Sequence, residues 1–217
     1  MQPFPASLFS DGPVLRLLDL AIAAQESGGK LSLDEEIQRY IRLVRRDWVA
    51  NWNCSVYTSA GLLDFAADSV AQLGALDSFP TEFREKVTRA AGDMGMVEYL
   101  RTLAEFVRII DRQGVPEYWE LPMGGSEFLQ TFPFLFGFDA ILMDVGDGPF
   151  AAIVQSFLTN EHPYCHERAV ACTTEAQRAL VLFPDADALK KHLSWATRDR
   201  LQELIATVND HMQQEHS

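Results

Sequence analysis

The segment "MVEYLRTLAEFVRIIDRQG", residues 96–114, constrains the fold more than any other part of the chain. Its apolar residues recur at helical spacing and cover about half of the helix circumference, which predicts a deeply packed helix. Its charged residues form a narrower stripe, at spacings that allow ion pairs along the helix. Gly114 and Pro116 end it. The apolar set is Val97, Leu100, Leu103, Ala104, Phe106, Val107 and Ile110.

Two earlier segments carry clear helix-start signals. Pro13 predicts a first helical turn, because its missing N–H would be unpaired there anyway, and Gly28 with Gly29 predicts the end of that helix. Ser32 with Glu35 three residues later matches a capping box, in which each side chain binds the other residue's main-chain N–H. A second amphipathic helix is therefore predicted to start after Ser32.

Helices are also predicted on both sides of the 96–114 segment. "AGLLDFAADSVAQLGAL" predicts one that is capped by Ser59, and "TEFREKVTRAAG" predicts one that follows Pro80. The segment 185–214 predicts one helix, or two helices that are broken near Thr197. Helices therefore account for residues 1–114 and for the C-terminal segment.

The middle of the chain has a different pattern. "VPEYWELPMGGSEFLQTFPFLFG", residues 115–137, is dense in Pro, Gly and aromatic residues, which predicts an ordered connection packed on the core. "FDAILMDV" and "FAAIVQSFL" are rich in β-formers and predict two strands. "RAVACT" and "ALVLFP" are candidates for further strands, although residues 174–183 equally suit a helix.

The predicted fold class is therefore α+β. We expect a helical N-terminal half packed on a small antiparallel sheet, followed by a C-terminal helix. The helical region spans residues 1–114 and the α+β region spans residues 115–217. With 217 residues in total, the two regions suit one compact domain.

The stretch "ILMDVGDG", residues 141–148, offers a candidate catalytic aspartate at the end of an apolar run. It resembles the first motif of the haloacid dehalogenase-like phosphotransferases, which implies Asp144 as nucleophile and a second magnesium-binding aspartate two residues later. Here Asp147 comes three residues later. Two carboxylates must reach one Mg²⁺ through a fixed turn, and the extra residue changes the direction of one of them. The spacing instead favours a hairpin turn at Gly146–Gly148, because Asp and Gly tolerate the positive φ of such turns.

"EHPYCHERAVAC", residues 161–172, is the candidate metal-binding segment. Imidazole and thiolate are zinc ligands, and the spacing of His162 and Cys165 lets both reach one ion from a tight loop. His166 and Cys172 complete the candidate set. Zinc is thus the one candidate cofactor, and the alternative is a plain loop between strands. A thiolate–imidazolium pair of Cys165 and His166 is a further alternative.

The charge distribution favours a basic partner. The formal charge is −13, and no Lys or Arg occurs between Arg112 and Arg168. Such a region attracts cations and repels nucleic acid and anionic membranes. The dense basic cluster predicts a solvated helix face rather than a nucleic-acid site: Arg39, Arg42, Arg45 and Arg46. The acids between Arg112 and Arg168 are Glu117, Glu120, Glu127, Asp139, Asp144, Asp147, Glu161 and Glu167.

Trp119 is the candidate anchor of the partner-binding surface. It lies in the loop "PEYWELP" among acidic residues, and aromatic anchors carry much of the free energy of protein–protein binding. The predicted surface comprises Glu117, Tyr118, Trp119, Glu120 and Glu127.

The leading functional hypothesis is a non-catalytic, acidic interaction protein that neutralises or regulates a basic partner, as immunity proteins, antitoxins or nucleic-acid mimics do. Its three cysteines, without a C-x-x-C pair, predict a reducing, cytoplasmic compartment. The alternative is a metal-dependent hydrolase that uses residues 161–172 with Asp144 or Asp147. A structural or adaptor subunit without a small ligand is the third hypothesis.

Overall fold

The computed structural model describes residues 12–47, 53–73, 79–145 and 148–216, apart from the side chains of residues 73, 143–145 and 186. The chain divides into two compact units, Met1–Gly124 and Gly125–Ser217. Helices α1 to α5 belong to the first unit: Pro13–Glu26, Leu33–Arg46, Val56–Leu73, Thr81–Ala91 and Met96–Gln113. Helices α6 to α11 belong to the second: Gly125–Thr131, Pro133–Val145, Phe150–Glu161, Cys165–Leu182, Ala186–Lys190 and Arg198–Glu215.

The N-terminal unit is built around one apolar cluster. All five of its helices contribute residues with no exposed surface, among them Leu17, Ile37, Leu63, Phe83 and Leu100. Helix α5 packs most extensively against α3. The predicted apolar face of α5 is confirmed at Leu100, Leu103, Ala104, Val107 and Ile110, which are buried.

The charged stripe of α5 pairs both with its neighbour α3 and along α5 itself. Arg101 lies 2.9 Å from Asp68, and Arg108 pairs with Asp64. The predicted pairing along α5 also occurs, because Arg108 approaches Glu105 at 3.6 Å. The stripe therefore orients α5 against α3 in addition to facing solvent.

The helix-start signals of this unit are partly confirmed. Pro13 is the first residue of α1, and Gly28 and Gly29 follow its end with φ of 63° and 86°. Ser32 precedes α2, but its side chain makes no capping hydrogen bond, so the capping box is wrong.

Ser59 does not cap α3, because that helix begins three residues earlier, at Val56. The Ser59 side chain is buried inside the helix, where its hydroxyl bonds the Tyr40 hydroxyl at 2.8 Å. Ser59 therefore makes a buried polar contact between α2 and α3 instead of capping a helix.

The predicted antiparallel sheet is wrong, and so is the α+β fold class. The described part of the chain contains no strand, and its regular structure is helical. "FDAILMDV" lies in α7 and "FAAIVQSFL" lies in α8. "RAVACT" belongs to α9, as do all but the last two residues of "ALVLFP". The predicted hairpin is wrong as well, because both of its flanking segments are helices. Gly146 and Asp147 themselves lie outside the described residues.

The buried residues of α8 and α9 recur at helical spacing, although the composition of both segments suggested strands. Short apolar runs of 4–8 residues suit a buried strand or a buried helix equally, so their composition did not distinguish the two. In α8 the buried residues are Phe150, Ile153, Val154 and Leu158. In α9 they are Cys165, Ala169, Cys172, Glu175, Ala176 and Ala179. Both sets follow the three- and four-residue spacing of one helix face.

The C-terminal segment forms two helices, which the sequence left open. Thr197 caps α11, since its hydroxyl accepts the main-chain N–H of Arg200 at 3.2 Å. Helix α11 packs against both α8 and α9. Within the described ranges, none of the helices combines the length and the hydropathy of a membrane span.

Candidate metal centre

Three helix ends of the C-terminal unit meet at one group of metal-ligating side chains. His162 follows the end of α8, and Cys165 is the first residue of α9. His211 lies in the last turn of α11, and His216 follows its end. The four potential ligand atoms all lie within 4.8 Å of one another.

The Cys165 sulfur is the centre of this group. Its Sγ lies 3.0 Å from His216 Nε2, 3.3 Å from His211 Nε2 and 3.8 Å from His162 Nδ1. In a tetrahedral zinc site, bond lengths of about 2.3 Å to sulfur and about 2.0–2.1 Å to nitrogen place these atoms about 3.6 Å apart. The three distances scatter around that separation, so small side-chain shifts suffice to form the site.

The group has a buried side and an exposed side. Cys165 has no exposed surface and His211 retains 3% of its surface, whereas His162 and His216 are exposed. Desolvation and then the neighbouring His162 and His211 lower the pKa of His216, which favours the neutral ring that metal binding requires. An ion bound here would link the exposed end of α11 to the buried start of α9.

Gln155 of α8 orients the buried histidine. Its side-chain amide nitrogen lies 3.3 Å from His211 Nδ1. If His211 binds a metal through Nε2, its Nδ1 carries the proton. The Gln155 side chain must then turn its amide oxygen toward His211, so that this oxygen accepts a hydrogen bond from Nδ1–H. Such a second hydrogen bond fixes the tautomer and the orientation of a ligating imidazole.

The other two residues of the predicted set lie outside the four-residue group. His166 is exposed, and its ring centre is 6.3 Å from that of His216. Cys172 lies two helical turns along α9, where burial raises the pKa of its thiol to about 12. The structure thus brings together His162 and Cys165 of the prediction and adds two histidines from the C-terminal segment.

His211 and His216 were not predicted, because they lie about 50 residues from Cys165 and share no local motif with it. Composition offered one signal. The chain has five histidines, and four of them gather in this corner of the fold: His162, His166, His211 and His216.

The structure does not support a nucleophilic Cys165–His166 pair. Cys165 is fully buried and faces His211 and His216, whereas the neighbouring His166 is exposed. A catalytic thiolate needs access to its substrate. Of the two aspartates, Asp144 lies in α7 with its side chain outside the described residues, and Asp147 lies wholly outside them.

The predicted partner-binding loop lies in the N-terminal unit. Trp119 is 80% exposed, whereas the Tyr118 ring lies under the guanidinium groups of Arg42 and Arg46. Glu117 pairs with Arg46 at 2.6 Å, and Glu120 accepts the main-chain N–H of Glu117 at 2.8 Å. The loop therefore exposes its tryptophan while its acids bind within the protein.

Glu127 does not belong to that surface. It lies in α6 of the C-terminal unit and retains 3% of its surface.

The basic cluster of α2 holds the same loop in place. Arg42 has no exposed surface and donates to the main-chain carbonyl oxygens of Pro116, Glu117 and Leu121. Arg39 donates to the carbonyl oxygen of Pro122 at 3.0 Å. These arginines thus bind the chain's own carbonyl and carboxylate groups.

Comparisons with known proteins give no relative: no family model, curated protein or solved structure matches this chain.

Proposed function

We propose that this protein binds one zinc ion through His162, Cys165, His211 and His216, and that the ion has a structural role. The observation that carries the proposal is the convergence of four ligand atoms from three helix ends within 4.8 Å of one another. One thiolate and three imidazoles form a donor set of the kind that zinc prefers.

The number of ligands supports a structural role over hydrolysis. Structural zinc sites have four protein ligands, whereas catalytic sites keep one position open for water or substrate. With all four residues bound, the site has no such position. The proposal therefore replaces the hydrolase alternative with a non-catalytic zinc protein.

Metal analysis of the purified full-length protein tests this proposal. We expect about one equivalent of zinc, and a cobalt-substituted form with the tetrahedral and thiolate-to-metal absorption bands of a site that contains one cysteine. Cys165→Ser should abolish the thiolate band. Cys172→Ser, which alters a buried cysteine on the same helix, should retain it.

A second matched pair examines the histidines. His211→Ala should lower the affinity for zinc strongly, whereas His166→Ala should leave it almost unchanged. Equal losses in both variants, or protein that binds no zinc in any form, would refute the four-residue site.

We also propose, as a second function, that the N-terminal unit binds a basic protein partner through Trp119, within a reducing cytoplasm. The specific support is the 80% exposure of a tryptophan on a loop that Arg42 and Arg46 fix in place. A rigid, exposed aromatic side chain is the usual anchor of a protein interface. The overall charge of −13 favours a basic partner by steering its approach.

Cross-linking in the native host, followed by binding kinetics with the isolated partner, tests this second function. Trp119→Ala should weaken binding by about 2 kcal/mol or more. Tyr57→Ala is the matched control, since Tyr57 is 79% exposed in the same unit and should have little effect. Association should slow as salt rises, and a salt-independent rate would refute the basic partner.

A further inference from the structure

The C-terminal unit contains a cavity of about 240 Å³ between α7, α8 and α9. Its wall is formed mostly by aromatic and aliphatic side chains. The residues that define its character are Phe134, Phe138 and Ile141 of α7, Phe157 of α8, and Arg168 and Cys172 of α9. None of them is a ligand of the candidate metal centre.

Gly137 is a lining residue of this cavity. It lies within α7, where glycine forms a helix less readily than alanine. A Cβ atom added there would meet no atom within 4 Å, so packing does not require the glycine. Because Gly137 lines the cavity, a larger side chain at this position would occupy part of it.

The cavity has one charged residue in its lining, Arg168, whose side chain is 54% exposed to solvent. Its Nη1 donates to Glu161 at 2.8 Å, which uses one of the five N–H donors of an arginine. The other donors suit a carboxylate, which guanidinium groups bind through charge-assisted hydrogen bonds. Cys172 lies one helical turn from Arg168 in the same lining, and burial raises the pKa of its thiol to about 12, so this group is uncharged at neutral pH.

We infer that this cavity binds a small apolar monocarboxylate, with the apolar body among the phenylalanines and the carboxylate at Arg168. Size supports this class, because an apolar cavity of about 150 Å³ accommodates benzene. In proportion, a cavity of about 240 Å³ accommodates about ten non-hydrogen atoms. Octanoate has this size and charge and serves as the probe.

Calorimetric titration of the full-length protein tests the inference. Octanoate should bind, and octanol and octylamine should bind about tenfold more weakly, because they lack the carboxylate. Arg168→Gln should remove most of this preference without abolishing the binding of octanol. Octanoate that fails to bind, or that binds no better than octylamine, would overturn the inference.

A variant whose side chain occupies part of the cavity provides a second test of the inference, and this test does not depend on charge. Gly137→Leu should reduce octanoate binding at least tenfold while the protein stays folded, since leucine favours the helix and its Cβ meets no neighbouring atom. Gly61→Leu is the matched control, because Gly61 also lies in a helix with no atom near an added Cβ, but in the N-terminal unit. Equal binding by both variants would place the ligand outside this cavity and overturn the inference.

Discussion

The two units of this protein use their helices differently. In the N-terminal unit, five helices bury large aliphatic and aromatic residues in one cluster, and charged residues pair between the helices. In the C-terminal unit, the inner face of α9 consists largely of cysteine and alanine, and the ends of α8, α9 and α11 meet at a thiol and three imidazoles. Both units bury large apolar residues, among them Phe128, Phe132 and Phe138 in the second unit, and the group of metal-ligating side chains lies in the second unit.

The difference indicates which unit depends on an added ligand. Apolar burial contributes free energy to both units, roughly in proportion to the area removed from water. A metal ion that links three helix ends adds its binding free energy to folding. We therefore expect the C-terminal unit to depend on metal and the N-terminal unit to be independent of it.

Metal removal should have the largest effect. A strong chelator should destabilise the C-terminal unit by about 5 kcal/mol or more, because zinc that binds only the folded site contributes its full binding free energy to stability. Hydrogen exchange followed by mass spectrometry, with and without chelator, reports the two units separately. Loss of protection in both units alike, or in neither, would remove the proposed difference between them.

Arg42→Ala should have the next largest effect, and it should act on the N-terminal unit. The fully buried guanidinium donates to three carbonyl oxygens of the 116–121 loop, which the variant leaves without these donors. A buried carbonyl oxygen that loses its donor costs about 1–3 kcal/mol, so the variant should lose about 3 kcal/mol or more. Chemical denaturation measures the loss. Arg101→Ala, on an exposed ion pair of the same unit, is the control and should cost far less.

Glu175 provides a smaller and pH-dependent effect in the C-terminal unit. Its carboxylate accepts the N–H groups of Phe134 and Leu135 in the first turn of α7, at 3.0 and 2.9 Å. Glu175→Ala should cost about 1–2 kcal/mol, because two main-chain donors lose their acceptor. Glu175→Gln should cost less, since both N–H groups donate to the one oxygen Oε2 and an amide oxygen at that position still accepts them.

Desolvation raises the pKa of Glu175, so the folded state holds this proton more tightly than the unfolded state. The associated stability is present below about pH 4.3, the ordinary glutamate value, and is lost as pH rises through the folded pKa. The wild type should therefore lose stability relative to Glu175→Gln over that range. Denaturation of both proteins across pH measures the difference, and a constant difference would contradict the raised pKa.

The ion pair of Arg101 and Asp68 should show the smallest effect. Its two side chains are 58% and 56% exposed, and exposed pairs contribute about 0.2–1 kcal/mol. A double-mutant cycle with alanine at both positions measures the coupling free energy, which should decrease at high salt. A coupling above about 2 kcal/mol would mean that these pairs, and not only the apolar cluster, hold the N-terminal unit together.

Amphipathic spacing predicted the helices of the N-terminal unit well. The predicted inner face of α5 is confirmed at Leu100, Leu103 and Ala104, because a long segment with one apolar face has a single way to bury it. Helix caps were predicted less well. Ser59 has the residue type of a cap but makes a buried hydrogen bond with Tyr40, a partner 19 residues away.

The sequence by itself determined the helical N-terminal half and the end of α1 at its glycines, and it indicated His162 and Cys165 as candidate metal ligands. Those features depend on residues that are near one another in the chain. Only the tertiary structure decided that α8 and α9 are helices and that His211 and His216 join Cys165. The physical reason is that short apolar runs suit either secondary structure until their packing partners are known. Likewise, ligands about 50 residues apart are neighbours only once α11 packs against α9.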